Sequence, residues 1–172
     1  FADATAMTGA FATATGHNYN TTRQPGEPVL NNNAPGRSVW WKWTAPQDGT
    51  VVVDTAGSEI RNYLGVFQGS SVSALTTVGI ATSGAYQDFS LGLIGDAARV
   101  QVNVLAGQTF YIAVDGQQAA PNEGVLRVNV SYVYTVWGLV GASPSLGGPI
   151  GVTRDTSGNF YTANGNNRTV SK

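Results

Sequence analysis

Large apolar residues recur at every second position over the segments 99–104, 110–114 and 126–134. The apolar positions, which recur at every second residue, are Val100, Val102, Val104, Phe110, Ile112, Val114, Leu126, Val128, Val130, Tyr132 and Tyr134. A period of two, carried by β-branched and aromatic side chains, is typical of half-buried β-strands. The pattern therefore predicts three strands, with one face of each turned towards a core.

Three of the four tryptophans lie in one further strand-like segment, 37–46, which a Pro-Gln-Asp-Gly turn separates from the apolar segment after it. Alternation places Val39, Trp41 and Trp43 on one face of this strand and Trp40 on the other. We predict that the first face is core. Trp40 is expected either to point outward as a stacking surface or to lie beneath the loop 21–36, which is rich in Asn, Pro and Gly.

Weaker patterns predict additional strands at 11–15, 63–67, 75–80 and 88–94, and one helical turn at 72–75. Turn signals such as Asp-Gly and Ser-Gly separate these segments at short intervals. Many short strands without a convincing helix predict an all-β fold, an antiparallel β-sandwich of jelly-roll-like type with a C-terminal β-hairpin extension.

The composition and net charge argue against several kinds of binding partner and chemistry. Only 11% of the residues are charged, against about 25% in a typical domain, so Thr, Asn, Ser, Gln and Gly must cover the surface. The net charge of −1 argues against a nucleic-acid partner. The chain has no cysteine, which excludes disulfides and thiol chemistry. It also has no apolar run long enough to span a membrane.

Four motifs in fixed order resemble the bacterial pre-peptidase C-terminal (PPC) domain family over residues 1–134. They are Gly26-Glu-Pro28, Ser38-Val-Trp-Trp-Lys-Trp-Thr-Ala-Pro46, Asp54-Thr-Ala-Gly-Ser58 and Tyr111-Ile-Ala-Val-Asp-Gly116. The resemblance implies a secreted β-sandwich that accompanies other domains and is not itself catalytic. The start at Phe1 rather than Met agrees with an exported, processed protein, so we expect an extracellular or cell-surface location.

Beyond a Gly-, Ser- and Pro-bearing connector at 135–148, the segment 149–172 resembles a single NHL repeat. The matching positions are Pro149, Gly151, Val152, Asp155, Gly158, Tyr161, Ala163, Asn167, Arg168, Val170 and Lys172. One repeat buries its apolar face only against a neighbour. Either the parent protein continues into a propeller, or this segment packs on its own sandwich or adds strands to another copy. The residues expected to carry such packing are Trp137, Ile150, Val152, Phe160, Tyr161 and Val170.

The pattern of reactive residues does not indicate an enzyme. His17 is the only histidine, and no nucleophile elbow or phosphate loop occurs. We expect no cofactor, with calcium as the one metal to consider, because some members of the resembled family bind it. Its candidate ligands are Asp54, Glu59 and Asn62 in one segment and Asp115, Asn122 and Glu123 in another. The alternative is that these side chains cap turns.

Two functions are consistent with the sequence. The first is a structural or assembly module, such as a subunit of a surface filament or a spacer, that forms a homo-oligomer or filament through strand addition. The alternative is an accessory domain that targets a secreted hydrolase to polysaccharide or protein fibres. Its stacking residues would be Trp40, Tyr19 and Tyr86.

Overall fold

The computed structural model describes residues 1–32, 36–84, 97–117 and 123–133 in full, and the backbone alone of 149–154, 160–164 and 169–171. The chain divides into two compact units, Phe1–Tyr134 and Thr135–Lys172.

The first unit is a β-sandwich of two sheets. In chain order its strands are β1 (Thr5–Met7), β2 (Phe11–His17), β3 (Ser38–Thr44), β4 (Gly49–Asp54), β5 (Asn62–Gln68), β6 (Thr76–Thr82), β7 (Arg99–Val104), β8 (Thr109–Gly116) and β9 (Val125–Tyr132). The five-stranded sheet has the order β1-β3-β8-β5-β6, and the four-stranded sheet has the order β2-β9-β4-β7. Every pair in these sheets is antiparallel except β1 with β3, which is parallel.

The main core lies between the two sheets, where the alternation of the sequence places it. Trp41, Trp43 and Ile112 from the five-stranded sheet, and Val51 and Val128 from the four-stranded sheet, are all at most 1% exposed. Trp43 lies within ring-contact range of Phe110 on the neighbouring strand. The prediction that Val39, Trp41 and Trp43 face the core is confirmed, with Val39 packed at its margin.

A second, smaller hydrophobic cluster lies on the outer face of the five-stranded sheet. Its buried members are Leu30, Trp40, Phe67 and Ala113, and Phe1 packs against them. Leu30 comes from the loop that follows β2, so this loop covers the outer face of the sheet. The sheet is therefore buried on both sides around Trp40.

The strands predicted from the sequence correspond closely to those of the sandwich. The predicted segment 99–104 is β7, and the segments 110–114 and 63–67 lie within β8 and β5. The predicted helical turn is a 3-10 turn at Val72–Ala74. The sequence did not indicate β1, and the predicted strand 88–94 lies outside the described residues.

The second unit contains a three-stranded antiparallel sheet of β10 (Pro149–Arg154), β11 (Phe160–Asn164) and β12 (Thr169–Ser171), in that order. The structure thus adds a third strand to the predicted hairpin. A register shift between Pro149 and Gly151 interrupts the β10–β11 pair. In the part of the chain that the structure describes, there is no helix of the length and apolarity needed to cross a membrane.

Candidate functional site

Trp40 is not available as a stacking surface, so its predicted role in ligand binding is wrong. Its side chain is 7% exposed. The ring lies edge-on to Phe1, with centroids 5.6 Å apart, and 5.8 Å from the ring of Phe67. The alternative prediction, that the loop after β2 covers Trp40, is confirmed by the position of Leu30 in the same cluster.

A buried carboxylate fixes this loop to β3. Glu27 is 8% exposed. Its Oε1 accepts a hydrogen bond from Nε1 of Trp40 at 2.9 Å, and its Oε2 accepts one from Oγ of Ser38 at 2.5 Å. The guanidinium of Arg23 donates to the backbone carbonyl of Glu27. The Glu27 of the Gly-Glu-Pro motif therefore has a structural role, which the sequence did not reveal because its partners are 11 and 13 residues away.

Leu30 occupies a hollow that the glycine of β5 creates. A Cβ at Gly65 would lie 2.5 Å from Cε2 of Phe67 and 2.6 Å from Cδ2 of Leu30. Real carbon atoms do not approach so closely, so a larger residue at this position would displace Phe67, Leu30 or both. The small residue in β5 and the apolar residue in the loop thus form one packing unit.

Tyr19 is the one of the three predicted stacking residues that the structure places at the surface. It is 48% exposed, and its ring lies 5.4 Å from the imidazole of His17 at an interplanar angle of 34°. The third residue, Tyr86, lies outside the described residues. Among the described residues, Tyr19 is therefore the predicted stacking residue that lies at the surface, beside His17.

Three residues of the first calcium candidate group are engaged in hydrogen bonds within the protein. Oδ1 of Asp54 accepts from the backbone N–H of Ala56 at 2.9 Å, as in an Asx turn, and Oε2 of Glu59 accepts from the N–H of Val125 at 3.1 Å. Asn62 is fully buried and accepts a hydrogen bond from Oγ1 of Thr55 at 2.8 Å. These contacts are those of side chains that fix turns.

The second calcium candidate group is similar. Asp115 is 3% exposed, and its Oδ1 accepts from the backbone N–H of Arg37 at 2.6 Å. Glu123 forms an ion pair with the Arg37 guanidinium and accepts from the N–H of Asn20. Asn122 lies outside the described residues. Among the residues that the structure describes, no three His, Cys, Asp or Glu side chains are grouped closely enough to hold a metal ion.

The C-terminal sheet contains five of the six predicted assembly residues, while Trp137 lies outside the described residues. In the register of the sheet, Gly151, Ala163 and Val170 are side by side, one on each strand. Phe160 and Tyr161 are consecutive in β11, so their positions belong to opposite faces of the sheet. Apolar positions therefore fall on both faces.

No model of a known protein family matches the sequence, and no curated protein is significantly similar to it. The resemblance to the PPC family and to the NHL repeat stays a prediction.

Proposed function

We propose that this chain is a non-catalytic structural module of an exported protein and that it assembles through its C-terminal sheet. The observation that carries the proposal is the architecture of that sheet. It is a compact unit of three short strands whose apolar positions lie on both faces. A sheet of this kind is stable when a further layer covers each apolar face.

The chemistry of the sandwich supports a structural role. The carboxylates of Glu27, Asp54, Glu59 and Asp115 each accept hydrogen bonds that fix a loop or a strand end. General acid–base catalysis needs carboxylates directed at a substrate. These four are instead engaged with backbone or side-chain donors of the protein itself.

The low charge supports self-association. With 9 basic and 10 acidic residues in 172, long-range repulsion between copies is weak. Export is part of the same proposal, and the motifs that resemble the PPC family support it.

A sedimentation-velocity concentration series on the full chain tests the proposal. We expect the weight-average mass to rise with concentration. Val170→Glu, which adds a charge to the apolar row with Ala163, should weaken association by about tenfold or more.

The matched control is Thr169→Glu, one residue away in the same strand and in register with the polar Asn164. It should change the association less than Val170→Glu does. A wild-type chain that remained monomeric at every concentration would overturn the assembly role.

Tyr19 favours a second candidate, an accessory domain that binds a polysaccharide. Exposed aromatic rings stack on sugars, and Tyr19 lies beside His17 at the surface. In a pull-down with insoluble polysaccharide, Tyr19→Ala should lose binding while Val29→Ala, also at an exposed loop residue, retains it. Equal retention of the two variants would exclude this function for Tyr19.

A further inference from the structure

Among the residues that the structure describes, β2 is an edge strand of the four-stranded sheet, and it lacks the usual protection. It pairs with β9 along all seven of its residues, with no register shift. Within the described residues, no strand pairs with its other side. Natural edge strands are commonly protected by charged residues, proline or bulges. The sequence Phe-Ala-Thr-Ala-Thr-Gly-His contains no Lys, Arg, Asp, Glu or Pro.

The pairing of β2 with β9 shows which backbone N–H and C=O groups of β2 point away from β9. Asn18, directly after β2, donates its backbone N–H to the carbonyl of Gly124, on the β9 side, at 3.3 Å. Backbone groups of successive residues in a strand point to opposite sides. The even-numbered residues of β2 therefore bond to β9, and the N–H and C=O groups of Thr13 and Thr15 point to the other side of the strand.

The same strand is self-complementary about Ala14. If two copies of β2 lie antiparallel with Ala14 opposite Ala14, Ala12 lies opposite Gly16 and Thr13 lies opposite Thr15. Small residues then meet small residues, and threonine meets threonine. Threonine pairs across two strands are favourable. Odd-numbered residues also oppose odd-numbered residues, so the edge groups of each copy meet those of the other.

The side chains on both faces of β2 would also allow a second strand to lie close beside it. Thr13 and Thr15 are exposed on the outer face. On the inner face the residues are small, and a Cβ at Gly16 would lie 3.1 Å from the Trp41 ring. A second strand beside β2 would thus meet small side chains towards the sandwich interior and hydroxyls towards solvent.

We propose that two copies of this chain pair antiparallel through β2, about a two-fold axis at Ala14. Each copy contributes its four-stranded sheet to one continuous sheet. The inference rests on the proposed assembly role and names one of its surfaces and its partner, a second copy. A two-fold interface closes after two copies, so a longer assembly requires another contact, which the C-terminal sheet supplies.

Disulfide trapping tests the register. The wild-type chain contains no cysteine, so Thr13→Cys and Thr15→Cys each carry a single thiol. In the proposed pair, residues 13 and 15 of different copies have Cα atoms about 5.5 Å apart, within disulfide range. Two copies of residue 13 are diagonal neighbours and lie about 7–8 Å apart, at the limit of that range.

We expect an oxidised mixture of the two full-length variants, one with a size tag, to form the mixed disulfide in several-fold excess over either homodisulfide. Both side chains are exposed, and circular dichroism verifies that the variants fold. Statistical proportions of the three products, or no disulfide at all, would overturn the proposed register.

A charge variant tests whether the edge is needed. Thr15→Lys should weaken dimerisation of the full chain by about tenfold or more, since lysine protects an edge. The control is Gln101→Lys, exposed on β7 at the opposite edge of the same sheet, which should leave dimerisation unchanged. If association persists unchanged in Thr15→Lys, the β2 interface is wrong while the assembly role stands. If the wild type does not associate, both are wrong.

Discussion

At the scale of single residues, the two core tryptophans differ in one respect that the sequence does not show. Nε1 of Trp43 donates to the carbonyl of Gly9 at 2.9 Å. Nε1 of Trp41 is buried and has no hydrogen-bond partner among the described residues. A buried donor without a partner destabilises the folded state, so its removal relieves a cost. Removal of a hydrogen-bonded donor instead leaves its acceptor unpaired, which destabilises the folded state.

Replacement by phenylalanine should therefore separate the two residues. We expect Trp43→Phe to lower the free energy of unfolding by about 1 kcal/mol more than Trp41→Phe does, since both lose similar volume but only Trp43 leaves a carbonyl unpaired. Urea denaturation monitored by circular dichroism measures both. An equal or larger loss for Trp41→Phe would contradict this assignment.

Glu27 provides the second test at this scale. Glu27→Ala leaves the donors of Trp40 and Ser38 without their acceptor, and we expect a loss of about 2–3 kcal/mol in unfolding free energy. The tryptophan emission should shift to longer wavelength as the loop leaves Trp40. Glu59→Ala, which loses one exposed hydrogen bond to Val125, is the control and should cost less, without the spectral shift.

The periodicity of β3 predicts the burial of one of its faces and leaves the other undecided. Alternation assigned Trp41 and Trp43 to the core because the two faces of a strand follow from the sequence directly. It could not decide whether Trp40 is buried or exposed, because this depends on Glu27 and Leu30, which lie in a loop without periodicity. The same holds for Asp115, whose partner, the N–H of Arg37, is 78 residues away.

At the scale of strands, the edge strands β6 and β7 of the two sheets pack against each other where Gly79 of β6 meets Val100 of β7. A Cβ added at Gly79 would clash with Cγ1 of Val100. We expect Gly79→Ala to lower the unfolding free energy by about 1–3 kcal/mol, as overpacking does.

The double variant tests the cause. Val100→Ala removes Cγ1, the atom with which the new Cβ would clash. Gly79→Ala should therefore lower the unfolding free energy less in the Val100→Ala background than in the wild type, and the two effects should not be additive. Strict additivity in urea denaturation would show that the contact between Gly79 and Val100 is not the reason for the glycine.

The strands themselves were largely predictable, and the exceptions have physical reasons. β7 and β9 alternate between buried and more exposed positions, which produces the period-two pattern, whereas β8 is buried on both faces from Ile112 onward. β1 has three residues, too few for any period, and its parallel pairing with β3 depends on distant sequence. The unprotected edge of β2 could have been noticed from its lack of charge, but only the sheet order shows that it is an edge.

At the scale of the whole molecule, the low charge predicts the salt dependence of assembly. β2 contains no Lys, Arg, Asp or Glu, and Arg154 is the one such residue in the strands of the C-terminal sheet, so ionic screening has little to act on at the proposed contacts. We expect the Kd of self-association to change by less than about threefold between 50 and 500 mM NaCl. A Kd that rose steeply with salt would point to a charged interface elsewhere.

Sedimentation velocity on the full-length protein decides whether this chain is an assembly module. If it is, the weight-average mass of the wild type increases with concentration, and a chain carrying both Thr15→Lys and Val170→Glu stays at the monomer mass over the same range. A wild-type chain that sediments as a monomer throughout, or a double variant that associates as the wild type does, would contradict it.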